Sequence, residues 1–230
     1  MKLVKANYTI LTPISEGALN ELQFIERIGR VCYKSEDKIT EDGESAKKFI
    51  RNLIKNGHEA MIEHSSLSVM FTVDRGVTHE LVRHRIASFA QESTRYCNYS
   101  NDKFGNECNF IDLEPGLLID TGIRSLNDCG KVDHINKVSM MLAEWRNAMA
   151  DAERHYLRML ELGARPQIAR SVLPNSTKSD ITITANYREW RAFFKLRADK
   201  PAHPQMREAT IPLLHELQQK IPVIFEDINL

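Results

Sequence analysis

The chain has 230 residues, enough for one large domain or two small ones with a sizeable buried core. Lysine plus arginine equals aspartate plus glutamate at 31 each, so no whole-molecule field draws nucleic acid or a membrane surface, and an anion site must be a local cluster. No apolar run approaches the roughly 18–20 residues that span a bilayer, and Cys32, Cys97, Cys108 and Cys129, with no CxxC pair and no secretory leader, point to free thiols in a reducing cytoplasm.

Residues 3–14 read as a first strand. Leu22, Ile25, Ile28 and Val31 then fall at helical spacing and predict a helix over 15–32. A second helix over 44–55 carries Phe49, Ile50, Leu53 and Ile54, and Asn56-Gly57 stops it. Leu67, Val69, Phe71 and Val73 alternate with Ser66, Ser68, Met70 and Thr72, the pattern of a strand with one apolar face. Asp74 can cap a helix from Gly76 to about Arg85, and the polar, turn-rich residues 97–109 predict a loop. Further on, the pattern predicts a long helix over 132–162 ending at Gly163 and a short helix from Pro166 ending before Pro174. A strand over 181–186, a helix over 187–198 and a last helix before IPVIF complete it. This is a mixed α/β chain with one continuous core and no demanded domain boundary.

Residues 83–96, RHRIASFAQESTRY, gather cations and hydroxyls directly after an apolar stretch. On a helix of roughly 100° per residue, Val77, Leu81 and His84 share one stripe while Arg83 and Arg85 diverge by about 200°. A helix end dressed with cations is one reading of the triplet. The donors that follow, Ser88, Gln91, Ser93 and Arg95, favour the other, a site for an anionic ligand such as a phosphate. Arg197 shares the apolar stripe of Trp190, Phe193 and Phe194. It either snorkels, meets a carboxylate such as Asp199, or holds an anion. GHEAMIEH fails as HExxH, since position 62 is isoleucine and His58 and His64 would not share a helical face, so no metal site is expected. GxSxG, GxGxxG and P-loop motifs are absent, and Cys97 is the thiol nearest the basic segment.

Arg-His-Arg, seven residues, then Ser93-x-Arg95-Tyr96 resembles the signature of the flavin-dependent thymidylate synthase (ThyX) family. GHEAMIEH, ARSVLP (169–174), TANYREW (184–190) and LRAD (196–199) resemble further blocks of that family in the same order. The resemblance implies a single catalytic domain over 1–230, a mixed α/β fold with a central, mostly antiparallel sheet flanked by helices. It also implies a cytoplasmic homotetramer with active sites built between subunits. The implied reaction is reductive methylation of dUMP to dTMP, with methylenetetrahydrofolate as carbon donor and NADPH reducing a bound FAD. His64, Ser66, Arg83, His84, Arg85, Gln91, Asn186, Tyr187 and Arg188 would contact the flavin. Glu80, Arg83, Gln91, Glu92, Ser93, Thr94, Arg95, Arg170 and Arg197 would contact the nucleotide, with Arg197 against the uracil ring as the catalytic residue. The chain departs from family patterns at Ala90-Gln91, where some members carry Asn-Glu, at Ala192, and at Glu80, where others have glutamine. A non-catalytic nucleotide- or nucleic-acid-binding protein using the same basic segment is the alternative; zero net charge and the absence of a basic stripe with interleaved aromatics weigh against it.

Overall fold

The computed structural model describes residues 1–126 and 132–230; the side chain of Val132 and the predicted free thiol Cys129 lie outside the described set. In chain order the elements are β1 (Lys2–Val4), β2 (Asn7–Ile10), α1 (Leu19–Val31), α2 (Glu44–Lys55), β3 (Ser66–Asp74), α3 (Arg75–Leu81), β4 (Ala87–Gln91) and β5 (Asn109–Ile111). They continue with α4 (Glu114–Thr121), α5 (Val132–Glu161), α6 (Pro166–Ala169), β6 (Lys178–Asn186), α7 (Tyr187–Arg197), α8 (Pro204–Lys220) and α9 (Pro222–Phe225).

The main sheet has the order β2-β3-β6-β4 and is antiparallel throughout; β1 pairs with β5 in a separate parallel pair. One face of the sheet is apolar as the alternation of β3 predicts. Leu67, Val69, Phe71 and Val73 join Ile181, Ile183 and Ala185 in a core covered by α1, α2, α7, α8 and α9. A single continuous core was expected. Instead, the buried apolar residues among those described separate into this cluster, a second around Tyr99, Phe110 and Tyr156 beside α5, and a small third.

Several boundaries differ from the sequence reading. The predicted first strand divides into β1 and β2, which serve different sheets. Gly17 at φ 60 and Ala18 at φ 55 turn the chain through left-handed conformations, moving the start of the first helix from Ser15 to Leu19. α3 ends at Leu81, because Arg83 N–H and His84 N–H bond back three residues to Glu80 and Leu81 and close the helix early. The chain then enters β4, a strand the pattern did not announce, where partly buried Ala87 and Phe89 pack on the main core. Residues 97–109 form a loop up to β5, as predicted, with one short 3₁₀ turn over Asp102–Phe104, and α4 beyond them is an element the pattern did not announce. Among the described residues no helix is long and apolar enough to cross a membrane.

Candidate active site

Register decides what meets what. Ser66 pairs with Asn186, Ala87 with Ala185, and Tyr187 N–H donates to the Ser65 carbonyl at 3.0 Å. His64, Ser66, the Arg83–His84–Arg85 turn and the start of α7 therefore share one end of the sheet. At the other end Asp74 pairs with Lys178, Gln91 with Ile181, and Glu92 N–H donates to the Asp180 carbonyl at 2.8 Å. The five-residue strand β4 separates the two ends by roughly 14 Å.

At the first end, α7 presents Glu189, Phe193 and Arg197 at i, i+4 and i+8, one stripe that receives the imidazole of His84. His84 is 9% exposed. Its Nδ1 lies 2.9 Å from Glu189 Oε1, its Nε2 3.2 Å from Arg197 Nε, and Phe193 meets its ring edge-on at 5.0 Å. Arg197 Nε carries a hydrogen, so Nε2 of His84 accepts and Nδ1–H donates to Glu189. Arg197 also donates through Nη1 to Glu80 Oε2 at 2.8 Å and through Nη2 to the Glu80 carbonyl at 2.9 Å. Its partner is Glu80, not Asp199, which turns to the Lys200 amide. Three of five N–H donors are thus fixed and two remain for a ligand. Asn186 caps α7, its Oδ1 accepting from Glu189 N–H at 2.8 Å.

The inward turn of His84 does not depend on the predicted helix; the turn delivers it to α7 directly. Both its ring nitrogens are engaged, one by Glu189 and one by Arg197. Arg83 and Arg85 are exposed, as are His64 and Ser66. Arg188 is exposed and donates to Glu63 at 2.6 Å. Tyr187 is buried in the main core with its ring edge-on to Phe225, so only its backbone faces the site.

The second end is organised around an acid. Glu92 Oε1 accepts from the Tyr99 hydroxyl at 2.9 Å, and Oε2 accepts from Lys178 Nζ at 3.0 Å and Asp180 N–H at 3.3 Å. Burial would lower the Lys178 ammonium pKa, but its bonds to Asp180 and Glu92 hold it above its ordinary value. Gln91 donates to Thr78 at 2.9 Å and Ser179 at 3.1 Å. Of the predicted nucleotide residues, Glu92 and Gln91 are therefore committed to the chain itself. Thr94, 4% exposed, accepts from Arg170 Nη1 at 3.1 Å, bringing together two residues 76 apart in sequence. Ser93 and exposed Arg95 flank it on the same turn, Arg95 lying over the Tyr96 ring at 5.5 Å. Cys97 is not a primed thiol: burial, then the charge of Glu92, pushes its pKa up. Among the described residues no group of three or more His, Cys, Asp or Glu is placed to hold a metal ion.

Sequence reasoning missed Glu189, whose signal was its i, i+8 relation to Arg197 on α7. It also missed Arg75, which lines a cleft of about 410 Å³ with Thr94, Gln167, Arg170, Ser171 and Leu173.

Fold and site define a mixed α/β protein that offers guanidinium, hydroxyl and amide donors to an anionic ligand. A family model described as thymidylate synthase complementing protein matches residues 17–223. The chain belongs to that family. It is 32% identical to the flavin-dependent thymidylate synthase of Mycobacterium sp. (strain JLS) over 211 residues, 90% of this chain and 79% of that protein. To that of Corynebacterium diphtheriae it is 32% identical over 218 residues, 94% and 82% of the two chains. To that of Mycobacterium tuberculosis (strain ATCC 25177 / H37Ra) it is 33% identical over 210 residues, 89% and 78%.

Proposed function

We propose that the chain is a flavin-dependent thymidylate synthase, a methyltransferase that converts dUMP to dTMP. Methylenetetrahydrofolate gives the carbon and NADPH the reducing equivalents. The observation that carries this reading is Arg197, 14% exposed at the side chain and held by three bonds with two donors left over. A guanidinium so fixed beside a uracil ring stabilises the electron density that loss of the ring N–H proton places on the ring. That density makes the C5 carbon nucleophilic toward the folate methylene. No cysteine is required to add to the pyrimidine, which agrees with the raised pKa values of Cys97 and of Cys108, the latter pushed up to about 12 by burial.

FAD fits the residues present at the first end. Arg83, Arg85 and Arg188 supply cations for a pyrophosphate, and His64, Ser66 and Asn186 supply polar atoms, all gathered there by the β3–β6 and β4–β6 registers. When bound, reduced flavin supplies the hydride that turns the transferred methylene into a methyl group. The protein orients, excludes water and holds charge: His84 and Glu189 fix the guanidinium of Arg197, while Ser93, Thr94, Arg95 and Arg170 hold the nucleotide.

The flavin cluster and the Thr94–Arg170 cluster lie at opposite ends of β4. Sites completed between subunits of a homotetramer would bring one subunit's Arg197 to another's Arg170. The whole chain, 1–230, acts as one catalytic domain in the cytoplasm, with small molecules rather than nucleic acid or membrane as ligands.

Tritium release from 5-tritiated dUMP tests the proposal. Release that requires both methylenetetrahydrofolate and NADPH is expected from a yellow, flavin-loaded protein. A folded protein that stays colourless with added FAD and releases no tritium would sink it.

A further inference from the structure

We propose that Glu80 is a further catalytic residue, the base that takes the ring N–H proton of the uracil while Arg197 holds the ring. The inference deepens the reading of Arg197 given above and rests on it.

Loss of the ring N–H proton needs an acceptor, and carboxylates and imidazoles are the side chains that accept one near neutral pH. Few stand beside Arg197. His84 has both ring nitrogens engaged, and Glu189 lies behind that imidazole. Asp199 turns away to the Lys200 amide. Glu80 differs from all three. Its Oε2 accepts from Arg197 Nη1 at 2.8 Å and its carbonyl from Nη2 at 2.9 Å, while its Oε1 has no partner among the described residues. The side chain is 36% exposed and lines an open cleft of about 380 Å³ with His79, Asn175, Ser176, His203 and Gln205.

The imide edge of a uracil carries an N–H between two carbonyl oxygens. Arg197 and Glu80 together present the complementary order, guanidinium N–H toward a carbonyl and carboxylate oxygen toward the N–H. Docked this way, the base is within hydrogen-bond reach of its proton. In the step itself the ring N–H bond breaks and an O–H bond forms on Glu80. The electron pair stays in the ring, spread over the carbonyl oxygens and C5. Arg197 touches donor and acceptor alike, so negative charge passes from its carboxylate partner to its ring partner. The guanidinium keeps one counter-charge throughout, and no separated pair of charges has to be created. Glu80 returns the proton to the ring after the carbon has been transferred.

The test follows single-turnover tritium release from 5-tritiated dUMP by the flavin-loaded full chain, across pH. Glu80→Gln keeps an oxygen that can accept from Arg197 but takes no proton. It should slow release on the order of 100-fold at neutral pH, with flavin retained and dUMP affinity by calorimetry near the parental value. The deficit should shrink as pH rises, because solvent base then removes the proton, and this separates a base from a mere support for Arg197. Glu80→Asp keeps the base on a shorter arm and decides the matter if the glutamine variant does not retain flavin. It should be slower than the parent yet share the parent's pH profile. A parental rate in the deciding variant overturns the assignment. So does a glutamine deficit that is equal at every pH, or an aspartate profile displaced from the parent's. A parental rate in Arg197→Ala overturns the reading of Arg197 itself, and this inference falls with it.

Discussion

The two turns at the ends of β4 use the same chemistry in opposite ways. At the Arg83–His84–Arg85 end the key cation is already satisfied: Glu189, His84, Arg197 and Glu80 form an unbroken ladder of hydrogen bonds. At the Ser93–Thr94–Arg95 end the acid is satisfied and the cations are not, since Glu92 is taken by Tyr99 and Lys178 while Arg75 and Arg170 share a cleft without a carboxylate. A site that must orient a ring during chemistry gains from a fixed group, which loses no geometry when charge develops. A site that only grips phosphate gains from unspent charge, because the incoming anion then supplies the missing partner. The difference is between preorganisation and affinity, and each end can be broken separately.

The largest effect is expected at the fixed end. Arg197→Ala should lower kcat on the order of 10²–10³-fold with flavin retained, read by tritium release and visible absorbance. Loss of flavin in equal measure would mean that Arg197 serves the cofactor and that the ends are not divided as argued. Glu189→Ala acts one step back on the ladder. It leaves the buried Nδ1–H of His84 without an acceptor and should cost roughly 2–3 kcal/mol in chemical denaturation, with kcat falling as Arg197 loosens. Unchanged turnover in a destabilised Glu189→Ala protein would show that the ladder supports the fold alone.

Much of this division was legible in the sequence. The alternation of β3 and the amphipathic stripe of α7 are local signals, and both survive in the structure, whereas the run Arg83–Tyr96 is divided by β4 between the two ends of the sheet. What was not legible depends on long-range pairing. β4 has little strand pattern of its own and exists because β6 offers it an edge, so the helix drawn to Arg85 stops at Leu81 instead. The partner of Arg197 was sought next door at Asp199, whereas Glu80 lies 117 positions away. Arg75 could not be distinguished from any helix-start residue until the fold set Arg170 across from it.

Behind the unspent end lies a second imbalance, smaller in effect. Burial first, then the charge of Asp112, pushes the Glu208 carboxyl up from 4.5 to about 7, with Asp74 adding to it, and its Oε2 is buried without a partner. The folded chain keeps this proton to about pH 7, whereas the unfolded chain releases it near the ordinary 4.5. Between those values the folded state binds more protons, so this group's contribution to stability falls as pH rises. Glu208→Gln should therefore gain on the order of 1–2 kcal/mol over the parent at pH 8 and little at pH 4. Melting temperatures at the two pH values check it. An equal shift at both would assign the effect to packing rather than to the proton.

The smallest effect is the sharpest test of the fixed end. Arg188 and Glu63 form an ion pair at 2.6 Å with both side chains about half exposed, an arrangement worth less than about 1 kcal/mol. Glu63→Gln should leave the melting temperature within a few degrees of the parent. Yet it releases a cation at the end of the sheet where the flavin is proposed to sit. If Arg188 serves a pyrophosphate, FAD should bind more tightly to this variant at low salt, and the gain should fade as salt screens the exposed charge. An FAD affinity identical to the parent at low salt would remove Arg188 from the flavin site. The first end would then hold its cofactor with the Arg83–His84–Arg85 turn and the polar groups of β3 and β6 alone.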